Sequence, residues 1–381
     1  MNRAPRGKKI RTEFRKGHES RQRKTDFTRD FHDAPTDDAG LEELQQRERL
    51  TGKGELTRKR TVVGQTSDGE EAGFEVRRDV DEQCVPGRVI SVHGLACRVG
   101  DDSGTVYRCS VRGILKSLST ELRHVVVTGD RVTIRVTGEQ EGVIERIEPR
   151  YGTISRTSRG RRHAIATNVD GLLIVASAAE PGIKPNLIDR MLVTAERAGV
   201  EPLICVNKID LADAASLQPL LGVYGQLGYR ILLVSARTGR GIDRLRSWVQ
   251  GRDTVVAGQS GVGKSSILNA LEPGLNLRVG EVSRENQKGK HTTTAATLIP
   301  LAMGGHLVDT PGIRSFPLWD LVPAEIAGWY RDVRPFVNRC RFPDCTHSHE
   351  ERCGVKDAVA DNLIDLRRYD SLLHLQDGDD A

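Results

Sequence analysis

The sequence predicts three folded parts in one chain: a small antiparallel β-barrel, a doubly wound α/β domain, and a small helical module that binds a metal. Three observations carry this reading. Short alternating segments punctuated by Gly and Asp run from Pro86 to Arg150. From Asn168 the texture becomes strand–helix–strand, with a glycine-rich loop joining one buried strand to one helix. Three cysteines and two histidines then crowd into "CRFPDCTHSHEERC", residues 340–353.

A chain of 381 residues has room for two or three cores. Charged residues make up 29% and aromatics only 4%, so much of the length is surface, linker or tail. The net charge of +5 is uneven: residues 1–30 are dense in Arg and Lys, and the end, "LQDGDDA", is acidic. Residues 1–83 lack sustained periodicity and are expected to be a disordered basic extension, with at most a transient helix over "GLEELQQRERL". A basic arm suits a polyanionic partner; the alternative is a plain solvated tail. No apolar run is long enough to span a bilayer and no signal-like apolar region follows the start, so no membrane partner is expected. Glu13, Glu19, Asp26 and Asp30 interrupt the Arg-rich start, against a mitochondrial transit peptide. The seven cysteines are an odd number with a local cluster, which is metal arithmetic and not a disulfide framework. The expected compartment is the cytoplasm.

The barrel is expected over residues 84–152, from "GRVISVHG", "LACRVG", "TVYRCSVRG", "RVTIRV" and "GVIERIEP". An OB-fold is the first expectation and an SH3-like barrel the second, because strand spacing alone does not separate them. A basic connector, "RTSRGRRH", follows. The α/β domain is expected over 153–318. "GLLIVASA", "PLICV", "RILLVSA", "TVVAG", "TLIPLA" and "GHLVDT" read as strands, with helices at "PNLIDRMLVTAERAG", "SLQPLLGVYGQLG", "GIDRLRSWV" and "KSSILNALEP". Such alternation implies a mostly parallel sheet whose ligand sits outside the strand C-termini.

"GQSGVGKSS" follows a buried strand and opens a helix, the context a phosphate-binding loop requires. Gly258, Gln259, Ser260, Gly261, Val262 and Gly263 bring backbone N–H groups to phosphate, Lys264 reaches the β- and γ-phosphates, and Ser265, beside Ser266, ligates Mg²⁺. The competing explanation is a glycine turn between strand and helix. "NKID" supplies a base: the Asp210 carboxylate can accept from guanine N1–H and N2–H₂ together, Lys208 can lie along the purine, and Asn207 can tie its loop to the phosphate loop, with Ile209 between. Alone, this string is also an ordinary helix-start turn. "SAR" ends the next strand, where Ser235 and the Ala236 N–H suit a third guanine loop meeting O6. "DTPG" ends a later strand, with Asp309 toward Mg²⁺ and the Gly312 N–H toward the γ-phosphate. Of Thr292, Thr293 and Thr294 in "KGKHTTT", Thr293 is the chosen Mg²⁺ ligand.

The base-reading strings precede the phosphate loop, the reverse of the usual order. A site at strand C-termini depends on spatial neighbours and not on chain order, so all five pieces form one permuted site. This set, with a preceding barrel and a following Cys/His module, resembles the circularly permuted GTPase family of ribosome small-subunit-dependent GTPase A (RsgA/YjeQ type) over about residues 86–375. The resemblance implies a factor that hydrolyses GTP to GDP in late maturation of the 30S ribosomal subunit, with an OB-fold, a permuted G domain and a zinc domain. It implies the 30S subunit and 16S rRNA as partners, and a monomer is expected. The barrel carries Arg88, Arg98, Arg108, Arg112, Lys116, Arg131 and Arg135, yet Tyr107 is the only aromatic from Pro86 to Arg150. Contacts to the backbone and shape of folded rRNA are therefore expected in place of base-by-base reading, or else a basic face without contacts.

Where many GTPases carry a water-orienting Gln, this chain has Ile313. Slow hydrolysis alone and stimulation by a partner follow from that. His291 is the substitute candidate for a catalytic role beside Lys264; the alternative is contact with RNA or solvent. Three readings stand at this point: a ribosome-stimulated GTPase, a GTP/GDP-dependent rRNA-binding module with incidental hydrolysis, and an ATP enzyme such as a nucleoside kinase, which has no use for "NKID" and "SAR".

The C-terminal module, residues 319–375 before an acidic tail at 376–381, offers Cys340, Cys345, His347 and Cys353. Three thiolates and one imidazole form a closed set for a structural zinc ion, one per chain. His349 is the rival ligand. Cys84, Cys97, Cys109 and Cys205 lie in or beside strands as core or surface thiols. Arg339, Arg341, Arg352 and Lys356 suit rRNA phosphates or a solvated face.

Overall fold

The computed structural model describes residues 84–94, 96–112, 125–158, 161–277, 296–309 and 322–378, together with three short strands nearer the N-terminus. Residues 1–80 form one unit, whose described residues are β1 (Lys9–Arg11), β2 (Thr61–Thr66) and β3 (Phe74–Val76), antiparallel in that order. The expected disordered extension and its transient helix otherwise lie outside the described residues. Among the described residues, no helix is long and apolar enough to cross a membrane.

The second unit, residues 81–381, begins with the barrel. Its strands are β4 (Cys84–His93), β5 (Ala96–Gly100), β6 (Val106–Val111), β7 (Arg131–Gly138) and β8 (Glu141–Ile147). They run β4-β5-β6-β8-β7, and β7 returns to pair with β4. The third and fifth strands, β6 and β8, are parallel and the other pairs antiparallel. That order is the OB-fold and settles the choice against the SH3-like barrel. Alternation puts Val89, Cys97, Val99, Cys109, Val132, Ile134 and Ile144 inside.

The stretch read as a basic connector is instead an antiparallel hairpin, β9 (Ile154–Ser158) with β10 (Arg161–Ala166), in register Ser158↔Arg161 and Arg156↔His163. Charged and polar residues at successive positions obscure the alternation by which a strand is usually recognised.

The α/β sheet contains β11 (Gly171–Ser177), β12 (Glu201–Asn207), β13 (Arg230–Leu233), β14 (Asp253–Gly258), β15 (Thr297–Pro300) and β16 (His306–Asp309). The order is β13-β12-β11-β14-β16-β15, parallel except for β15. Every residue of the central β11 is buried, as its unbroken apolar run requires. Its alternate residues feed two cores. Leu172 and Ile174 meet Ile188, Met191 and Leu192 of helix α1 (Pro185–Ala198). Leu173 and Val175 share the other core with Leu245 and Trp248 of α3 (Ile242–Val249) and Ile267 of α4 (Lys264–Leu271), while α2 (Gln218–Gln226) lies on the first side through Leu221 and Tyr224. Pro185 starts α1 where its missing N–H costs nothing, and Gly199 ends it at φ 63°.

Barrel and sheet are joined through backbone and polar contacts. Ser91 of β4 pairs with Thr297 of β15, and the Thr128 hydroxyl donates to the Ala296 carbonyl at 2.8 Å. Arg88 pairs with Asp253 at 2.5 Å and donates to the Asn168 carbonyl at 3.0 Å. Gly129, at φ +91°, packs so closely that a Cβ would sit 2.2 Å from the Thr167 carbonyl oxygen.

The C-terminal module comprises α5 (Pro323–Trp329), α6 (Arg334–Val337), α7 (Gly354–Ala360) and α8 (Leu366–Asp377). Its core of Ile326, Tyr330, Val333, Val355, Ile364 and Leu372 also receives Val193 of α1. Arg368 of α8, buried, donates through Nε and Nη2 to Asp332 at 3.0 and 2.9 Å and through Nη1 to Asp189 of α1. Its guanidinium also lies 4.2 Å from the Tyr330 ring centroid.

Candidate nucleotide and metal sites

Among the described residues, three of the sequence-predicted pieces, "NKID", "SAR" and "GQSGVGKSS", meet at the C-terminal ends of neighbouring strands. Register places Ser177 beside Asn207, Val175 beside Gly258 and Val206 beside Leu233, so the loops after β11, β12, β13 and β14 leave from neighbouring strand ends. The phosphate-loop strand is central, and β16, ending at Asp309, runs parallel beside it.

The phosphate loop turns on glycines whose backbone other residues could not adopt freely. Gly261 and Gly263 lie at φ 84° and 93°, and a Cβ on Gly263 would fall 2.4 Å from the Asn207 side-chain nitrogen. Helix α4 begins at Lys264, so its first N–H groups face the loop. Lys264 curls over that loop, donating to the carbonyls of Gly258 and Gln259 at 2.7 Å each.

Asn207 is the clasp. It is 2% exposed; its Nδ2 donates to the Val262 carbonyl at 3.0 Å and its Oδ1 accepts from the Ala236 N–H at 3.1 Å. One side chain thus fixes the phosphate loop to the loop after β13. The Ala236 N–H that was expected to meet guanine O6 makes this contact. Lys208, at φ 62°, donates to the carbonyls of Gly261 at 2.8 Å and Glu180 at 2.5 Å. The segment around Glu180 and Pro181 is a participant the sequence reading missed; nothing in its composition marks it, and only tertiary proximity to Gly261 does. Ile209 is buried and anchors the turn.

Asp210 accepts from the Ser235 hydroxyl at 2.6 Å and pairs with Arg237 at 2.7 Å. The Ser235 hydrogen bond is the main influence holding its carboxyl below the usual range, so Asp210 is an acceptor near neutral pH. The contact with Asp210 gives the Arg237 side chain a role that the string "SAR" alone does not specify. His291, Thr293, Gly312 and Ile313 lie outside the described residues, as does the Asp309 side chain. Ser265 and Ser266 open α4.

Cys340, Cys345, His347 and Cys353 bring their ligand atoms within 4.8 Å of one another. The Cys340 Sγ lies 3.8 Å from the Cys353 Sγ and 3.5 Å from the His347 Nδ1, which is 3.4 Å from the Cys353 Sγ. Metal–sulfur bonds of about 2.3 Å and metal–nitrogen bonds of about 2.0–2.1 Å arranged tetrahedrally give edges of about 3.8 and 3.6 Å. The four side chains therefore fit one tetrahedral metal ion. His349 is exposed and contacts Ser348 at 3.0 Å, outside that cluster. Burial pushes the Cys345 thiol up to about 12, and a bound cation reverses this by favouring the thiolate. Burial lowers the His347 pKa, keeping the imidazole a neutral ligand. The Tyr369 hydroxyl donates to the His347 carbonyl at 2.6 Å, steadying a residue held at φ 63°. Tyr369 was also missed, since it lies 22 residues from the histidine.

Comparison with known proteins agrees with this geometry. Residues 147–319 match the family described as RsgA GTPase. The chain is 41% identical over 295 residues to the small ribosomal subunit biogenesis GTPase RsgA of Sodalis glossinidius (strain morsitans), covering 75% of this chain and 83% of that one. Its counterpart in Haemophilus influenzae (strain 86-028NP) is 37% identical over 333 residues, 84% of this chain and 94% of that one. Among solved structures, YjeQ from Thermotoga maritima aligns with a TM-score of 0.62 and 33% identity over 77% of this chain and 97% of that one. YloQ, described as a circularly permuted GTPase, aligns with a TM-score of 0.59 and 29% identity over 79% and 97%. With its loops converging at neighbouring strand ends in permuted order, the chain belongs to the RsgA GTPase family and is a GTP hydrolase.

Proposed function

We propose that this GTPase acts in late maturation of the small ribosomal subunit, hydrolysing GTP slowly alone and faster when bound to the 30S particle through rRNA. The observation that carries the reading is the Asn207 clasp, which makes a guanine-reading turn and a phosphate loop into one pocket despite their reversed order. Residues 258–266 cradle the phosphates, and Lys264 neutralises charge on the transferred group. Asn207, Lys208, Ile209, Asp210, Ser235 and Ala236 hold the base, Asp309 would hold Mg²⁺ through water, and the Gly312 N–H would contact the γ-phosphate. Mg²⁺, held by Ser265 and Thr293, supplies charge neutralisation at the phosphates when bound. Ile313 cannot orient water by hydrogen bonding, so the partner completes the catalytic arrangement, with His291 closing over the γ-phosphate.

Zinc is the ion that fits a closed Cys₃His set with no position left for substrate, so its role is structural. The barrel over 84–152 and the arginines of the zinc module over 319–375 bind 16S rRNA by backbone and shape, flanking a nucleotide domain over 153–318. The protein works as a cytoplasmic monomer that binds in one nucleotide state and leaves in the other. Steady-state GTP hydrolysis with and without purified 30S subunits tests this. The expected result is stimulation of at least about tenfold, abolished by Lys264→Ala. Tight GTP binding without stimulation would favour an rRNA-binding module whose hydrolysis is incidental.

A further inference from the structure

Resting on the reading of Asn207–Asp210 as the guanine reader, we propose that Arg237 is a built-in competitor of the base: its guanidinium occupies the carboxylate that guanine must reach.

The chemistry of the mimicry is direct. Guanine offers a carboxylate its N1–H and its exocyclic N2–H₂, and those two nitrogens flank C2. That edge is a guanidine unit. Arginine presents the same planar arrangement of donors, which is why it pairs so readily with carboxylates. In this chain Arg237 Nη2 lies 2.7 Å from Asp210 Oδ2. The other carboxylate oxygen is taken by the Ser235 hydroxyl at 2.6 Å. Oδ2 is itself buried, while the Arg237 side chain that pairs with it is 73% exposed. The reading edge of Asp210 is therefore covered by a side chain that can swing into solvent, and the rest of the pocket is held by buried contacts such as the Asn207 clasp.

Base entry requires this pair to open. A ligand that binds only the open state has its apparent affinity reduced by the open fraction. An exposed ion pair shifts such an equilibrium by up to about fivefold, so the device tunes affinity and does not block the site. The opening cost is the same for every base that must reach Asp210, so the device lowers affinity while the carboxylate itself sets the preference for guanine. It also weakens with salt, because the pair is screened.

The test uses the full-length chain and guanosine, whose lack of phosphate keeps electrostatic steering of phosphates out of the result. Guanosine displaces a fluorescent GDP analogue from the parent chain, from Arg237→Ala and from Arg237→Gln. Both variants are expected to bind guanosine about two- to fivefold more tightly than the parent, with the gap closing as salt rises to about 0.5 M. Equal or weaker binding by both variants overturns the proposal, and weaker binding would mean that Arg237 packs on the base. Asp210→Asn separates this from failure of the underlying site: an amide in place of the carboxylate offers a donor to the C2 carbonyl of xanthine. Failure of that variant to gain xanthosine and lose guanosine would overturn the guanine reading itself, and the competitor with it.

Discussion

The nucleotide domain is held on its two sides in contrasting ways. On the barrel side the junction is spread over many modest contacts: a strand pairing at Ser91 and Thr297, the Thr128 and Asn168 hydrogen bonds, and the half-buried Arg88–Asp253 pair. On the C-terminal side a buried ionic cluster, Arg368, 2% exposed, between Asp189 of α1 and Asp332 of the module, sits beside more exposed contacts. Arg331 pairs with Glu196 of α1 at 2.6 Å and donates to the Leu227 carbonyl at 3.2 Å, and Arg367 donates to the Pro219 carbonyl at 2.9 Å. Burial opposes the Arg368 charge, but Asp189 and Asp332 outweigh it and raise its pKa, so the guanidinium stays charged. The two sides therefore differ in how deeply their charges are buried: among the described residues, only the C-terminal one holds a guanidinium almost wholly removed from water, so losing that residue leaves buried charge behind. The contrast also bears on a mechanical idea that the permuted order invites, in which the segment after "DTPG" tilts the C-terminal module. Any such tilt has to carry α1 along or break a buried ionic cluster.

The largest expected effect is at that cluster. Arg368→Ala leaves two buried carboxylates without their counter-ion and is expected to cost about 3–5 kcal/mol in denaturant unfolding. A cost under about 1 kcal/mol would erase the distinction between the two junctions. Next comes the metal. One divalent ion per chain is expected by elemental analysis, and Cys353→Ser is expected to lose it and lower the melting temperature by several degrees, about 2–4 °C per kcal/mol lost for a chain of this size. A full complement of metal in that variant would contradict the ligand set.

The smallest effect is on the barrel side and depends on pH. Burial raises the Asp253 pKa, but the His306 hydrogen bond and the Arg88 charge outweigh it and hold the carboxyl below its usual range. A depressed carboxyl pKa contributes stability above the unfolded value of about 3.9, and that contribution is lost as pH falls through the folded value. Asp253→Asn is therefore expected to cost about 1–2 kcal/mol between pH 5 and 7, with the difference from the parent shrinking below about pH 4. A difference that grows on acidification would reverse the sign and break the argument.

Legibility differed between the two sites for a physical reason. The metal set lies within 14 consecutive residues, and ligand chemistry alone selects it. His347 over His349 was decided by position, because only one of the two faces the thiols. The nucleotide pieces were each readable as strings, since glycines at fixed spacing and strand-end positions have local causes. Their mutual contacts were not. Asn207 to Val262, Lys208 to Glu180 and Arg237 to Asp210 all join segments distant in sequence or run between side chains whose rotamers depend on the neighbours. The β9–β10 hairpin escaped because its charges hide the alternation, and the OB order escaped because strand spacing carries no pairing information.

The sequence by itself determined the element types of the α/β domain and the barrel, the permuted order of motifs and the chemistry each could perform, because periodicity, glycine conformations and ligand softness act over a few residues. Tertiary structure decided which strand lies beside which, which carboxylate Arg368 neutralises, and which cation covers Asp210. Those outcomes depend on burial and on partners brought together by the sheet, and no local pattern encodes a neighbour that is close only in space.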